Sequence, residues 1–189
     1  GAGIVSIRRA DEGVFLKAAD GRECRFDRAV IATHADDALR LLADPTDDER
    51  RLLGAWRYST NDTVLHTDRS WMPSNRRAWA SWNVVRAKGA GAASPVTLTY
   101  HMNRLQQLHA RHDYLVTLNP FRPIDRDKIV ARMTYTHPVF TRDSLMTQTG
   151  LPGLNGVRHT YYCGSYFGYG FHEDAVRAGQ RLCAQLGFE

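Results

Sequence analysis

The chain has 189 residues, is 43% hydrophobic and carries a formal net charge of +5, a composition typical of an ordinary globular protein. It contains no apolar run near the roughly 20 residues that a transmembrane helix needs, and its three widely spaced cysteines favour neither a disulfide framework nor a zinc site. Because the arginines are scattered and often stand beside Asp or Glu, the charge pattern argues against a nucleic-acid groove, and we expect a cytoplasmic protein without a transmembrane segment.

The first part of the chain carries strand and turn signals. Residues 3–33 are predicted to form a three-stranded antiparallel meander, with turns at Asp11-Glu12-Gly13 and Asp20-Gly21. The continuously apolar run that begins at Ala29 predicts a strand buried on both faces. The chain enters its first strand without a starting Met, so it reads as a fragment of a longer protein.

Two helices are predicted next. The spacing of apolar residues indicates a helix from Ala35 to Leu42. Thr46 and Glu49 have the spacing of a capping box, which predicts a second helix that ends near Ala55.

The middle of the chain is predicted to be rich in strands. Alternating patterns indicate strands at 63–67, 79–84, 96–102, 114–118 and 129–135, the last ending before Pro138. A loop is expected at 88–94 and a short helix at 105–111. A final strand at 161–166 precedes a helix that begins near Glu173 and ends at Gly187. The expected fold class is α+β, a mixed and mainly antiparallel sheet with flanking helices.

The most informative motif lies at residues 161–179, where a strand, a glycine-bearing loop and a helix start follow one another. The free N–H groups at a helix start favour anionic or carbonyl groups, and small residues let a flat cofactor approach the backbone. On spacing alone, a glycine-rich turn without any ligand is the simpler interpretation.

This motif resembles the last FAD-binding motif of flavin amine oxidases, with Gly164 in the place of the motif glycine and Ser165 in that of the acidic residue. The resemblance implies that Gly164 and Ser165 lie near the ribityl and pyrophosphate groups of FAD. It also implies that the backbone of Asp174, Ala175 and Val176 faces the flavin pyrimidine carbonyl, where a helix start can stabilise the reduced ring. Ser165 departs from the family pattern because it cannot supply a carboxylate.

The resemblance extends over nearly the whole chain, to a subgroup described as predicted NAD/FAD-binding proteins. It includes the segments at 32–36, 78–83 and 99–106. By this resemblance Ile4 contacts the FAD adenine through its backbone, although a plain core position is compatible with it, and Thr33 ends a strand beside the cofactor. Members occur beside, or fused to, cyclopropane fatty acid synthases, which implies a lipid substrate.

The resemblance also implies a domain organisation. Residues 1–35 and 151–189 would belong to the FAD-binding lobe and lie against each other, while residues 36–150 would form the substrate-binding domain. No GxGxxG fingerprint follows a first strand. We therefore expect an amino-terminal FAD-binding segment in the parent chain as a partner, and we expect the isolated chain to hold no stoichiometric FAD.

Substrate-side candidates are aromatic or titratable. Trp79, Trp82 and Tyr100 are candidates for lining an apolar substrate cavity, with ordinary sheet packing as the alternative. A histidine can act as acid or base near neutral pH, and a hydrogen-bonded structural role is the alternative for each one. The histidine candidates are His66, His137 and His172.

The sequence indicates the cofactor more clearly than it indicates the reaction. Amine oxidases of this superfamily commonly use a lysine near flavin N5, and none of Lys17, Lys88 and Lys128 stands in a matching context. Desaturation, saturation or isomerisation of a lipid chain is therefore an equally good expectation, with a small-molecule or fatty-acyl substrate. The alternative is a non-catalytic lipid-binding or scaffold module that retains the flavoprotein fold. No metal is expected, since only Asp113 accompanies the histidines of residues 101–112.

Overall fold

The computed structural model describes residues 2–87, 89 and 96–188. It divides into two compact units. Unit 1 consists of Gly1–Ser59 and Pro138–Glu189, and unit 2 consists of Thr60–His137. The loop predicted at 88–94 lies, apart from residue 89, outside the described residues. By function, the sequence predicted a different division, into an FAD-binding lobe (1–35 and 151–189) and a substrate-binding domain (36–150). That functional division stays a prediction.

Two small sheets form the β-structure of unit 1. The predicted meander is confirmed as an antiparallel sheet of β1 (Ile4–Ala10), β2 (Gly13–Ala18) and β3 (Glu23–Phe26). The next strand, β4 (Ala29–Ile31), pairs in parallel with β10 (Thr160–Tyr162). The two ends of the chain therefore lie against each other, as the sequence predicted.

The prediction that β4 is buried on both faces was wrong. Ala29 and Ile31 are buried, but Val30 between them is 49% exposed. Alternate residues of a strand point to opposite faces, and only the face that carries Ala29 and Ile31 contributes to the core.

The described residues of unit 1 include four α-helices. The capping box at Thr46 is confirmed, because the Thr46 hydroxyl accepts the N–H of Glu49 at 3.2 Å and the Glu49 carboxylate accepts the N–H of Thr46 at 2.8 Å. A third helix, at Arg142–Thr147, was not predicted; its start is capped in the same way by Thr141. The helices are α1 (Ala35–Leu41), α2 (Asp47–Leu53), α4 (Arg142–Thr147) and α5 (His172–Leu186).

An apolar cluster at the centre of unit 1 encloses one ion pair. Its members come from the strands, from α1 and α2 and from residues 151–166. Arg9 and Glu49 are 3% and 1% exposed and bond to each other, and Tyr162 donates its hydroxyl proton to Glu49 at 2.6 Å. The buried members include Ile7, Val14, Ile31, Leu53, Trp56, Leu151 and Tyr166.

Unit 2 is organised around a five-stranded sheet with the strand order β6-β7-β8-β5-β9. One short helix, α3 (Met102–Leu105), follows β7. The strands are β5 (Arg57–His66), β6 (Trp82–Val85), β7 (Thr97–His101), β8 (Leu115–Leu118) and β9 (Ile129–Val139).

Two predictions in this region were wrong. The helix expected at 105–111 is absent from the described structure, because the helical turn ends at Leu105 and Gln107 adopts a left-handed backbone with φ of 53°. The strand expected to stop before Pro138 continues through it. Proline is compatible with this strand because β9 lies at the edge of the sheet and has a neighbouring strand on one side only.

The predicted fold class is confirmed: the part of the chain that the structure describes is α+β, with two antiparallel sheets, one short parallel pair and few helices. Within the described residues, every helix is too short or too polar to cross a membrane.

Candidate functional site

A cavity in unit 1 lies at the carboxyl ends of β4 and β10. Because these strands are parallel, the residues that follow them emerge at the same edge, the usual position of a ligand site beside parallel strands. The cavity has a volume of about 380 Å³. It brings together four residues predicted to bind the cofactor: Thr33, Gly164, Ser165 and Ala175. The remaining lining residues are Ala32, His34, Asp37 and Tyr166.

Gly164 is required at this point by the available space. A Cβ atom on this residue would lie 2.7 Å from the ring of Tyr166 and 3.5 Å from the carbonyl oxygen of Thr33. Its φ of 161° is ordinary extended backbone. Glycine is therefore required because a side chain would not fit, and not because of the backbone conformation. As a result, backbone atoms form the floor of the cavity at this point.

Tyr166 contributes an unsatisfied hydroxyl. The residue is 1% exposed, and its ring packs against Trp56 and Phe167 with centroids 5.9 and 4.9 Å away. Its Oη atom has no hydrogen-bond partner among the described residues. Burial raises the pKa of this hydroxyl well above its usual range, so it stays a donor. A buried polar group without a partner costs about 1–3 kcal/mol.

The start of α5 is held by Asp174. Its carboxylate accepts the backbone N–H groups of Tyr169 at 3.1 Å and Phe171 at 3.0 Å. A Cβ on Gly168 would meet the same carboxylate at 2.4 Å, so glycine is needed for this loop to close. The negative charge of Asp174 is thus engaged by the loop, and the cavity itself is lined at this helix by Ala175.

Three other predicted residues lie outside the lining of this cavity. Val176 is 54% exposed, and Ile4 is 38% exposed at the start of β1, where it pairs with Ala18. His172 is the exposed first residue of α5.

His34, Asp36 and Asp37 form a cluster that the sequence reading missed. Their possible ligand atoms all lie within 4.8 Å of one another. Each side chain already has a protein contact: Asp37 bonds to Arg40 at 2.5 Å, Asp36 accepts the N–H of Asp37 at 2.8 Å, and His34 stacks on Tyr58. The cluster is therefore satisfied without an ion.

The sheet of unit 2 has one face that is mostly apolar and, except at Thr63, not fully buried. Trp82 pairs with Tyr100, Tyr100 with Val116, and Val116 with Leu65, so these four side chains form a row across four strands. Trp82 is 51% exposed, and the other three are half-buried. A second row runs parallel to the first. We call these two rows the apolar face; it consists of Trp82, Tyr100, Val116 and Leu65 with Val84, Leu98, Leu118 and Thr63.

The opposite face of the same sheet is buried but largely polar. His66 bonds through Nε2 to the Thr117 hydroxyl at 2.7 Å, and Thr117 bonds to Thr99 at 2.9 Å. Since His66 Nδ1 accepts the N–H of Asp68 at 3.1 Å, Nε2 carries the proton. Burial lowers the pKa of His66 to about 4, so this histidine is neutral and structural rather than a proton carrier near pH 7.

The substrate-side candidates are thus separated. Trp79 is 9% exposed, packs with Met72 and Leu115 on the buried side and donates its indole N–H to the Pro73 carbonyl at 2.7 Å. Trp82 and Tyr100 meet edge to face on the apolar face, with centroids 5.4 Å apart.

The net charge is divided unequally between the units. Unit 2 contains 11 Lys and Arg against five Asp and Glu, a net charge of +6. Unit 1 contains 14 against 15, a net charge of −1. The positive charge of the chain therefore belongs to the unit that carries the apolar face.

Most of the apolar face was also missed from the sequence. Alternation in β6 and β7 indicates two faces with different side chains, and the pattern is visible in Trp82-Asn83-Val84 and Leu98-Thr99-Tyr100. This alternation does not indicate which face of the sheet is covered. Hydrophobicity alone would predict that the more hydrophobic face is covered, whereas in the structure that face is the more exposed one. In unit 1, nothing in the local pattern identified Tyr166 as the residue with an unsatisfied hydroxyl.

No protein-family model matches the chain, and no curated protein matches it either. Solved structures do resemble it. A CLA-producing fatty acid isomerase from P. acnes matches with a TM-score of 0.63 and 17% identity over 97% of this chain and 47% of that one. Cyclohexylamine oxidase from Brevibacterium oxydans IH-35A matches with a TM-score of 0.62 and 12% identity over 97% and 47%.

Putrescine oxidase bound to putrescine matches with a TM-score of 0.61 and 14% identity over 98% of this chain and 48% of that one. The chain therefore spans about half the length of the solved structures that it resembles. At these identities the likeness establishes the fold: the chain has the mixed α+β architecture of flavin amine oxidase-like proteins.

Proposed function

We propose that this chain forms part of an FAD-dependent oxidoreductase of the amine oxidase type, in which unit 1 holds an end of the cofactor and unit 2 binds an apolar substrate. The observation that carries the proposal is the cavity that collects Thr33, Gly164, Ser165 and Ala175 at the ends of two parallel strands. Thr33 follows β4, whereas the other three residues belong to the motif at 161–179, and the family resemblance assigned all four to this role.

The residues present fit a flat cofactor that carries carbonyl groups. Gly164 keeps the floor of the cavity at backbone level, and the ring of Tyr166 packs beside it. Ala175 leaves the first turn of α5 accessible, and the Asp174 carboxylate is engaged elsewhere, so it opposes negative charge in the cavity only weakly. FAD would supply the hydride chemistry, while this chain would supply binding, orientation and the helix start.

The substrate class follows from unit 2. Seven of the eight side chains of the apolar face are hydrophobic, and none of those seven is buried. An ordered apolar surface of this kind is typical of a binding site. The fatty acid isomerase among the similar structures acts, by its name, on a related kind of molecule. We therefore infer a lipid or fatty-acyl substrate, whose chain would undergo desaturation, saturation or isomerisation.

A second candidate is a lipid-binding or scaffold module without chemistry. Ser165 in place of an acidic residue favours this alternative, as does the absence of a lysine in a matching context. It predicts lipid binding with no flavin even in the full-length parent protein. The link to cyclopropane fatty acid synthases stays a prediction for either candidate.

The cofactor proposal is tested by purifying two proteins, the full-length parent and this 189-residue chain. We expect the parent to show the visible absorption of oxidised flavin and to release FAD on denaturation. We expect the isolated chain to contain no stoichiometric flavin, because the segment that grips the pyrophosphate would be missing. A colourless parent protein would overturn the oxidoreductase proposal and favour the binding module.

The position of the cofactor is tested by Ala175→Trp in the parent protein. The indole would fill the cavity beside α5, so flavin binding should be lost while the far-ultraviolet circular dichroism spectrum is retained. Ala184→Trp is the matched control, because Ala184 lies exposed on the same helix away from the cavity. Unchanged flavin affinity in Ala175→Trp would exclude this cavity as the site.

A further inference from the structure

A second cavity of unit 1 lies along one face of α5. It has a volume of about 290 Å³, and its other walls come mainly from the segments 152–155 and 167–169. The α5 residues that line it recur at intervals of three or four positions, so they share one face of the helix. We call it the α5 cavity. It shares no lining residue with the candidate cofactor cavity, to which α5 contributes Ala175.

Two arginines of α5 line this cavity. Arg177 and Arg181 are separated by four positions, which places their Cβ atoms about 5–6 Å apart on the helix surface. Arg177 forms an ion pair with Glu173 at 3.0 Å, and both side chains are exposed. Exposed pairs of this kind are weak. Arg181 forms no ion pair within the described part of the chain, so both guanidiniums can bind an anion.

The carboxylate in the lining of the α5 cavity is already engaged. It belongs to Asp174 and accepts the backbone N–H groups of Tyr169 and Phe171 at 3.1 and 3.0 Å. Unit 1 as a whole has a net charge of −1, but the described lining carries two guanidiniums against this one carboxylate. The local charge therefore favours an anionic ligand.

The cavity also offers apolar surface and an amide donor. Ala178 and Leu182 are 8% and 4% exposed, and Phe167 packs against the cluster to which they belong. Asn155 uses its carboxamide oxygen to accept the N–H of Tyr162 at 2.7 Å, which leaves its NH₂ group as a donor. A ligand in this cavity therefore contacts cationic donors, an amide and apolar side chains together.

We infer that the α5 cavity binds a small phosphate monoester with a planar apolar body. The phosphate would bind Arg177 and Arg181, since guanidinium and phosphate form paired, charge-assisted hydrogen bonds. The planar body would pack against Leu182 and the aromatic rings of Phe167 and Tyr169, which also line the cavity. A phosphate dianion interacts with two cations more strongly than a carboxylate does. This binding site goes beyond the proposed function, because it requires no flavin.

The test is calorimetric titration of the full 189-residue chain with phenyl phosphate, inorganic phosphate and phenol. Phenyl phosphate should bind at least about tenfold more tightly than the other two, because it alone uses both the arginines and the apolar wall. Arg181→Gln should weaken its binding at least about tenfold. Arg50→Gln is the matched control, since Arg50 is exposed on α2 and lines neither cavity, and it should leave binding unchanged. Glu173→Gln frees Arg177 and should strengthen binding.

Several results would overturn the inference. Equal affinity for phenyl phosphate and inorganic phosphate would identify an adventitious anion only. Equal losses in Arg181→Gln and Arg50→Gln would show a response to net charge instead of a site. If Arg181→Gln does not fold, Arg181→Lys keeps the charge without the planar fork and should retain part of the binding.

The full-length parent protein provides a second check. Phenyl phosphate should bind it as tightly as it binds the 189-residue chain. Binding that is lost in the parent would mean that another segment covers the α5 cavity, and the inference would be wrong. Because the titration of the isolated chain contains no flavin, its failure leaves the cofactor proposal untouched, and an absent flavin leaves this result untouched.

Discussion

The two units place their polar and apolar groups in opposite ways. Unit 1 buries charges: Arg9, Glu49 and the Tyr162 hydroxyl are enclosed by an apolar cluster and satisfy one another. Unit 2 buries hydroxyls and a neutral histidine under its sheet, while it leaves hydrophobic side chains on the other face incompletely covered.

This difference suggests that the buried polar groups of unit 1 serve stability, whereas the apolar face of unit 2 serves binding. Among the described residues of unit 1, the buried side-chain polar atoms have partners, with the hydroxyl of Tyr166 as an exception. In unit 2 the hydrophobic face contributes less to folding than its composition would allow, because its area is only partly removed from water. An exposed apolar surface of this kind is typical of a binding site, which supports the proposal that unit 2 binds an apolar substrate.

The sharpest test of the comparison is removal of the buried carboxylate in unit 1. Glu49→Ala leaves the Arg9 guanidinium buried with only Asp44 as an anionic partner, at 3.0 Å. Breaking a buried ion pair in this way typically costs about 3–5 kcal/mol, and urea denaturation should reveal a loss of at least about 3 kcal/mol.

The matched control is Asp48→Ala, which removes the exposed ion pair with Arg51 on the same helix. Exposed pairs contribute about 0–1 kcal/mol, so this variant should unfold nearly as the parent chain does. A loss below about 1 kcal/mol in Glu49→Ala would mean that the buried network is not what holds unit 1 together.

The second test uses the buried histidine of unit 2. Burial lowers the pKa of His66 to about 4, with the nearby Asp68 carboxylate opposing the shift, whereas in the unfolded chain its pKa is about 6.5. The unfolded chain therefore binds a proton that the folded chain does not, and stability must fall as the pH decreases through this window. The fall should be at most about 3 kcal/mol and should level off below about pH 4 for this group.

Urea denaturation at several pH values measures this dependence. His66→Gln should flatten the curve between about pH 6.5 and about pH 4, since the titrating group is gone. The buried Glu49 has a pKa held below its usual value by hydrogen bonds from Arg9 and Tyr162, although burial alone would raise it. Its stabilising contribution is therefore lost at lower pH. An unchanged slope in His66→Gln would show that another group causes the dependence.

A smaller effect is expected when the hydroxyl chain of unit 2 is interrupted. Thr117→Val preserves the shape of the side chain but leaves His66 Nε2 without its acceptor and Thr99 without its partner. A buried donor without an acceptor costs about 1–3 kcal/mol. Thr134→Val, at an exposed position of β9, should change stability by less than about 0.5 kcal/mol. Equal stability of the two variants would mean that the buried polar face does not stabilise unit 2.

The smallest expected change in stability comes from a test that compares an exposed hydrophobic residue of unit 2 with a buried one of unit 1. Val84→Thr alters a residue of the apolar face that is 66% exposed, so the unfolding free energy should change by less than about 0.5 kcal/mol. Val14→Thr introduces a hydroxyl at a fully buried position of unit 1 and should cost about 1–3 kcal/mol. A large loss in Val84→Thr would indicate that the apolar face is part of a folding core rather than a binding surface.

Sequence patterns predicted the elements best where the signal is local. The capping box at Thr46, the meander turns and the glycine at the end of α5 were all predicted correctly, because each depends on residues within a few positions of one another. The helix expected at 105–111 was wrong, because its residue pattern did not indicate the left-handed backbone at Gln107.

The sequence by itself determined the α+β class, since strand, turn and helix signals are properties of neighbouring residues. The choice of Thr33, Gly164, Ser165 and Ala175 as members of one candidate site came from the family resemblance, because spacing alone favoured a glycine-rich turn without a ligand. Only the tertiary structure decided that Val30 is exposed, that Trp79 and Trp82 lie on opposite faces, and that the hydrophobic face of the large sheet is the uncovered one. Strand alternation sorts side chains into two faces, but which face is covered depends on segments distant in sequence, here those that contribute Trp71 and Ile124.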